Sequence, residues 1–192
     1  MGTPEQAVGP DPEERTAELV DLLRAGDPRA GTLLDKLYRG RILRFCWGYL
    51  GRMDEAEDAV QDVCYRVLNT TSIPDVFRPW LYKIARNQCR TLIQRHSRRK
   101  QEHHSLPPAS QILEVLTGQL TRLLQEEERS RVDQLVRRLS PEQQEVLRLR
   151  YVEDLPRSEI AEVLDLPESV VKSRLFEGLK RLRADATFVD GS

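Results

Sequence analysis

The sequence predicts an all-α fold, with two small helical domains joined by a linker across its 192 residues. Apolar residues recur at helical spacing through most of the chain, and no stretch alternates with period two long enough to argue a strand. Near the middle, Ser105-Leu106-Pro107-Pro108-Ala109-Ser110 breaks the pattern, because paired prolines cannot sit inside a helix. Past that break the chain is punctuated as short helices with a tight turn.

Residues 1–15, acidic through Glu5, Asp11, Glu13 and Glu14, read as a flexible tail without the apolar core of a signal peptide. The first domain, 16–100, begins where the helical pattern does. Ile42, Phe45, Cys46 and Tyr49 repeat at i, i+3, i+4, i+7, and Ala56, Ala59, Val60, Val63 and Val67 form a second such stripe. Leu81, Ile84, Ala85 and Leu92 form a third. Between the last two, Asn69-Thr70-Thr71-Ser72-Ile73-Pro74-Asp75 reads as a polar loop. Trp80 opens the third stripe and is expected in the core rather than free to stack on bases, although Phe77, Trp80 and Tyr82 lie close together in sequence.

Residues 101–128 read as a linker. Within it Ile112, Leu113, Leu116, Leu120, Leu123 and Leu124 predict an amphipathic helix, weakened by Gly118. Leaving those side chains in water is unfavourable, so this helix is expected to pack on one or both domains and to restrain them, helped by attraction between acidic and basic blocks.

The second domain, 129–184, contains a start signal at Ser140-Pro141-Glu142-Gln143, a capping box with Pro at the first helical position. A short helix holding Ile160, Ala161 and Leu164 follows, then a turn at Asp165-Leu166-Pro167. The last helix runs from about Glu168 to Arg183, and 185–192 read as a tail. Two short helices with a tight turn describe a helix-turn-helix.

Composition narrows the function. Lys and Arg total 30 and Asp and Glu 31, so net charge alone announces no partner. The charges are nonetheless sorted: residues 53–62 carry five acids and no base, and residues 77–100 carry eight bases and no acid. Such blocks mark surfaces that meet different partners. The longest near-apolar run, Phe45 to Leu50, falls far short of the ~20 residues that span a bilayer, so no membrane insertion is expected. Cys46, Cys64 and Cys89, an odd count without paired spacing, suit a reduced, cytoplasmic chain and read as small buried hydrophobes. His103-His104 has no partner at ligand spacing, and neither a metal nor another cofactor is expected. Without a Gly-rich phosphate loop, nucleophile elbow or H-E-x-x-H pair, the chain does not read as an enzyme.

On the last helix Val171, Leu175, Gly178 and Leu182 share the face that would pack inward. Ser169, Ser173, Phe176 and Lys180 centre the opposite face, flanked by Lys172 and Arg174. Beyond its first residue, Glu168, five bases (Lys172, Arg174, Lys180, Arg181, Arg183) against one acid, Glu177, suit an element lying in a phosphate-lined groove.

These residues resemble a family. LSPEQQEVLRLRYVEDLPRSEIAEVLDLPESVVKSRLFEGLKRLR (139–183) is similar to region 4 of bacterial sigma factors. DEAEDAVQDVCYRVL (54–68) resembles region 2.2, and FRPWLYKIARNQCRTLIQRHSRR (77–99) resembles regions 2.3 and 2.4. The blocks stand in the family's order without a region 3 between them, as in the extracytoplasmic-function subfamily. The resemblance covers about 26–100 and 129–183. It implies a region 2 helical bundle and a region 4 helix-turn-helix that bind core RNA polymerase and direct initiation at promoter DNA. It implies that Asp54, Glu55, Glu57, Asp58, Gln61 and Asp62 dock on the β′ clamp, and that region 4 meets the β flap. Asn69, Thr70, Thr71 and Ser72 would form a base-capture loop at the minus-ten element, with Arg78, Lys83, Arg86, Asn87, Arg90 and Arg95 following the nontemplate strand. Glu168, Ser169, Lys172, Ser173, Arg174, Glu177 and Lys180 would read the minus-thirty-five element. An anti-sigma factor is the regulator common in the subfamily.

The sequence departs from the family pattern at several positions. Cys64 replaces a usual Phe, Thr91 a frequent Asp, Asp165 the turn Gly, Val170 a common Thr and Glu177 a common base. Asp tolerates the left-handed conformation that the turn needs. The last two changes imply an unusual minus-thirty-five preference.

A helix-turn-helix regulator that acts without polymerase would also use the recognition helix, but it leaves the acidic block and the basic helix without a role. A helical interaction adaptor leaves the recognition face unexplained.

Overall fold

The computed structural model describes residues 12–99, 136 and 138–189, and among these every regular element is helical. The first half opens with α1, Pro12–Ala25, whose leading Pro and first-turn Glu13 and Glu14 suit a helix start. The helix therefore reaches back into the stretch expected as a tail. Next comes α2, Arg29–Leu34, which runs through a wider π-helical turn, Asp35–Arg39, into α3, Gly40–Leu50. At the end of α3, Gly51 adopts φ 72°, the left-handed C-cap that glycine takes at least cost, and its N–H reaches the Trp47 carbonyl at 2.8 Å. Two longer helices follow: α4, Met53–Leu68, and α5, Phe77–Arg99.

The three predicted apolar stripes meet in one core. Ile42, Phe45 and Cys46 of α3, Ala56, Ala59, Val60, Val63 and Val67 of α4, and Leu81, Tyr82, Ala85 and Cys89 of α5 are all buried, with Leu19 of α1. Each large side chain there contributes roughly 1.5–3 kcal/mol by leaving water. The aromatic expectation is corrected in part. Phe77 and Tyr82 are enclosed, whereas Trp80 is only half-buried, leaning on Phe77 with ring centroids 5.7 Å apart. Cys64 is likewise half-buried.

The second half holds α6, Pro141–Tyr151, α7, Arg157–Leu164, and α8, Glu168–Val189. The capping box forms as expected: Gln143 N–H donates to Ser140 Oγ at 3.3 Å, and Ser140 N–H donates to Gln143 Oε1 at 3.2 Å. Asp165 adopts φ 55°, ψ 47°, so an Asp does supply the left-handed turn between α7 and α8. Gly178 lets α8 approach α6 closely, since a Cβ there would lie 3.2 Å from Leu147 Cδ1 and that side chain would have to shift. Val171 and Leu175 seal the same face. The last helix continues to Val189, beyond its expected end and into the expected tail. The predicted linker, 101–128, and its helix lie outside the described residues.

The two halves touch directly. α5 packs against α7, and buried residues of both halves join in one apolar cluster.

Candidate nucleic-acid and polymerase interfaces

On α4 the buried stripe turns the acidic residues outward. Glu57, Asp58, Gln61 and Asp62 are exposed, and the first three have no ion pair or hydrogen-bond partner among the described residues. The two acids nearest the helix start differ. Asp54 lies 2.5 Å from Arg52 Nη2, and Glu55 is half-buried between Arg52 Nε at 3.3 Å and His96 Nδ1 at 3.5 Å. The Arg52 guanidinium holds the Asp54 carboxyl below its usual range. Asp62 accepts a hydrogen bond from Gln88 of α5, which ties the acidic helix to the basic one. The free acidic surface is thus narrower than the sequence block, centred on Glu57, Asp58 and Gln61.

The loop after α4 is fastened at both ends. Asn69 Nδ2 donates to the Tyr65 carbonyl at 2.8 Å and Thr70 Oγ1 to the Arg66 carbonyl at 2.7 Å, so both side chains cap the end of α4. Ile73 is buried, and Arg24 of α1 donates to its carbonyl at 3.2 Å and to Asp75 Oδ1 at 2.7 Å. That leaves Thr71 and Ser72 as the exposed crest. Arg24 carried no sequence signal, because its partner is 51 residues away.

Along α5 the predicted cations divide into two sets. Asn87, Arg90 and Arg95 are exposed, and the two arginines have no carboxylate partner among the described residues. Arg78, Lys83 and Arg86 are all held by the second half. Arg78 Nη2 donates to the Asp154 carbonyl at 2.6 Å, and its Nε lies 3.2 Å from Glu159 of α7. Lys83 pairs with Asp165 of the helix-turn-helix turn. Arg86 grips Glu145 of α6 with two donors, at 2.7 and 3.2 Å. The basic helix is therefore met by carboxylates of the second half rather than chiefly by the acidic block of α4.

Beneath these pairs the seam holds buried polar groups. Tyr82 donates to Glu153 Oε2 at 2.5 Å, and Tyr49 donates to Glu145. Arg148 lies with its guanidinium carbon 5.2 Å from the Tyr49 ring centroid. Burial raises the Glu153 carboxyl above its usual range and lowers Arg148 below its own. Arg148 Nε and Glu153 Oε1 have no hydrogen-bond partner among the described residues. None of these contacts was legible in sequence.

On α8, Ser169, Lys172, Ser173, Glu177 and Lys180 are exposed and Arg174 is half-buried, so the expected face is presented as a unit. Glu168 is also exposed but lies 3.5 Å from Arg157 of α7, closing the corner of the helix-turn-helix. Phe176, 65% exposed at the centre of this face, is a large apolar group left mostly open to solvent. Its place on the face follows from helical spacing, which assigns it no contact.

A duplex-operator binder needs only the second half; here a second helical unit carries a free acidic face and a cationic helix of its own. The arrangement defines a transcription protein that meets both DNA and a protein partner. Two family models match in chain order, "Sigma-70 region 2" over residues 34–99 and "Sigma-70, region 4" over residues 129–182. The chain is 29% identical over 175 residues to the ECF RNA polymerase sigma factor SigW of Bacillus subtilis, covering 84% of this chain and 91% of the relative. It is 28% identical to the RNA polymerase sigma-H factor of Pseudomonas aeruginosa, covering 85% and 90%. In fold it is similar to CnrH, solved in complex with the cytosolic domain of CnrY, at a TM-score of 0.64 and 20% identity over 93% of this chain and 99% of that one. A second likeness is to the sigma factor RpoE of Bartonella quintana, solved with the anti-sigma factor NepR, at a TM-score of 0.58 and 18% identity over 83% and 98%.

The chain belongs to the sigma-70 family, in its extracytoplasmic-function group. It is a sigma factor: it binds core RNA polymerase and directs initiation at promoters. No helix among the described residues is long and apolar enough to cross a membrane.

Proposed function

We propose that the domains divide the work as 16–100 and 129–184, with the three exposed surfaces taking one ligand each. Glu57, Asp58, Gln61 and Asp62 of α4 dock on the β′ clamp, with Asp54 and Glu55 at the margin. Thr71 and Ser72 at the loop crest receive the captured base, Asn69 and Thr70 hold the loop's first end, and α5 follows the nontemplate strand through Arg78, Lys83, Arg86, Asn87, Arg90 and Arg95. Ser169, Lys172, Ser173, Arg174, Glu177 and Lys180 enter the major groove at the minus-thirty-five element, with Glu168 at its edge. Phe176 adds an apolar contact suited to a thymine methyl group. Region 4 also meets the β flap, an anti-sigma factor controls access, and the chain acts in the cytoplasm without chemistry of its own.

The sorting of charge supports this reading: an acidic face on α4, exposed at Glu57, Asp58 and Asp62, stands apart from cationic faces on α5 and α8. Purified chain added to core RNA polymerase should give run-off transcripts from specific start sites that core alone does not give. Transcription indistinguishable from core alone would overturn the proposal.

A further inference from the structure

We infer that Glu177 is a specificity-determining residue of α8: its carboxylate accepts from the N4 amino group of a cytosine in the major groove, so that the minus-thirty-five element of this chain's promoters carries a cytosine at that place. The inference rests on the proposed entry of α8 into the groove and adds the base that one of its side chains selects.

Two observations carry it. Glu177 is exposed on α8 and has no hydrogen bond or ion pair among the described residues. Helical spacing offers it Arg174 three positions before and Arg181 four positions after, the second in the favourable order for an ion pair. Both serve α6 instead: Arg181 donates to Gln143 Oε1 at 3.4 Å, and Glu142 feels the Arg174 charge. The rest of the exposed face is cationic or neutral, with Lys172 and Lys180 beside Ser169, Ser173 and Phe176. Glu168, at the edge of that face, is accounted for by Arg157. Glu177 is therefore a carboxylate without a partner on the surface that meets DNA.

The chemistry of the groove narrows what it can meet. An ionised carboxylate among phosphates is repelled by any duplex unless it finds a donor on a base edge. It can only accept, and the major groove offers two donors, adenine N6 and cytosine N4. Adenine N6 sits beside N7, an acceptor that a carboxylate cannot satisfy, whereas cytosine N4 sits beside a C–H edge. Cytosine is thus the base that a carboxylate reads. A glutamine in the same place would accept from adenine N6 and donate to N7, which turns the preference to adenine.

The full chain, Glu177→Gln and Glu177→Ala, each bound to core RNA polymerase, are used to select from a library of random-sequence duplexes, and the retained members are sequenced. Both replacements suit an exposed helical position, so the fold is not at stake. The parent should enrich one upstream position for cytosine over thymine by about five- to ten-fold, the low end of what a base-edge contact gives. Glu177→Gln should turn that position to adenine, and Glu177→Ala should leave it without preference, while the other enriched positions stand. Replacing that cytosine with the pyrimidinone analogue that lacks only its N4 amino group should weaken the parent by a similar factor more than it weakens Glu177→Ala. Tighter binding of every sequence by both variants, with the parent's base preferences kept, would overturn the inference: Glu177 would then only repel phosphates, and α8 would still read the element. A position that responds to Glu177 but is not cytosine in the parent would overturn it as well. No enriched upstream position in any of the three chains, with polymerase bound, would remove the α8 reading and the inference with it.

Discussion

Arg174 and Lys172 of α8 make no ion pair among the described residues, although Glu142 of α6 lies near enough to feel the Arg174 charge. Arg174→Ala and Lys172→Ala should each weaken binding to the minus-thirty-five duplex, by about 1–3 kcal/mol where a two-donor base contact is lost. Co-purification with core polymerase should persist, and unchanged duplex binding by both would remove this face from promoter reading. Glu153 poses a different residue-level question, because burial raises its carboxyl above the ordinary value of 4.5. The folded state then holds a proton that the unfolded state releases earlier. Stability from this group is fully present below about pH 4.5 and is lost as pH rises through the higher folded value. Glu153→Gln, which keeps an acceptor for Tyr82, should melt higher than the parent at pH 7–8, by ~2–4 °C if about 1 kcal/mol of desolvation is relieved. The two curves should converge towards pH 4. Calorimetry across pH checks this, and a gap that widens on acidification would refute it.

Helix α4 is suited to the docking proposed for it because one face is fully used by the core. Ala56, Ala59, Val60, Val63 and Val67 are buried, so Glu57 and Asp58 between them face outward, while Asp62 accepts from Gln88. Asp58→Lys/Asp62→Lys should abolish association with core polymerase while circular dichroism stays helical. Asp62 also accepts from Gln88, so Asp58→Lys with Glu57→Lys provides the variant that leaves the link to α5 intact. Retained polymerase binding by both doubles would count against α4 as the docking helix. The loop is a second element whose shape depends on distant support. Arg24→Ala removes the hydrogen bonds to Ile73 and Asp75, and should slow promoter melting at constant duplex affinity, as followed by a fluorescent base in the minus-ten element.

For the molecule as a whole, contact between the halves would lower the share of chains ready for polymerase only if polymerase requires them apart. Apparent affinity would then fall by the fraction that is competent, so relieving the contact would tighten binding without touching the docking face. On that basis Glu145→Gln/Asp165→Asn, which takes the carboxylates from Arg86 and Lys83, should associate with core polymerase several-fold more tightly than the charge-matched Asp154→Asn/Glu162→Gln in a competition assay. Neither variant alters α4. Equal affinities would mean that this contact does not compete with polymerase.

Helical periodicity determined the fold class, because the spacing of apolar residues along a helix is a local property: Ile42, Phe45 and Cys46, or Val171 and Leu175, announce their buried face within two turns. The capping box at Ser140 and the left-handed Asp165 were legible for the same reason, each resting on residues a few positions apart. Separate acidic and basic surfaces could be read from the order of charges. What each charged residue meets could not. Glu55 turns towards His96, Asn69 and Thr70 close the end of α4, and Trp80 rather than Tyr82 remains partly exposed, all through contacts set by packing. The seam lies furthest from sequence reading, since Tyr49 meets Glu145 and Arg78 meets Glu159 across long stretches of chain. Periodicity fixes which face of a helix is apolar but says nothing of which distant helix covers it. Only the packing of the two halves decided that Arg78, Lys83 and Arg86 would meet Glu159, Asp165 and Glu145 of the same molecule.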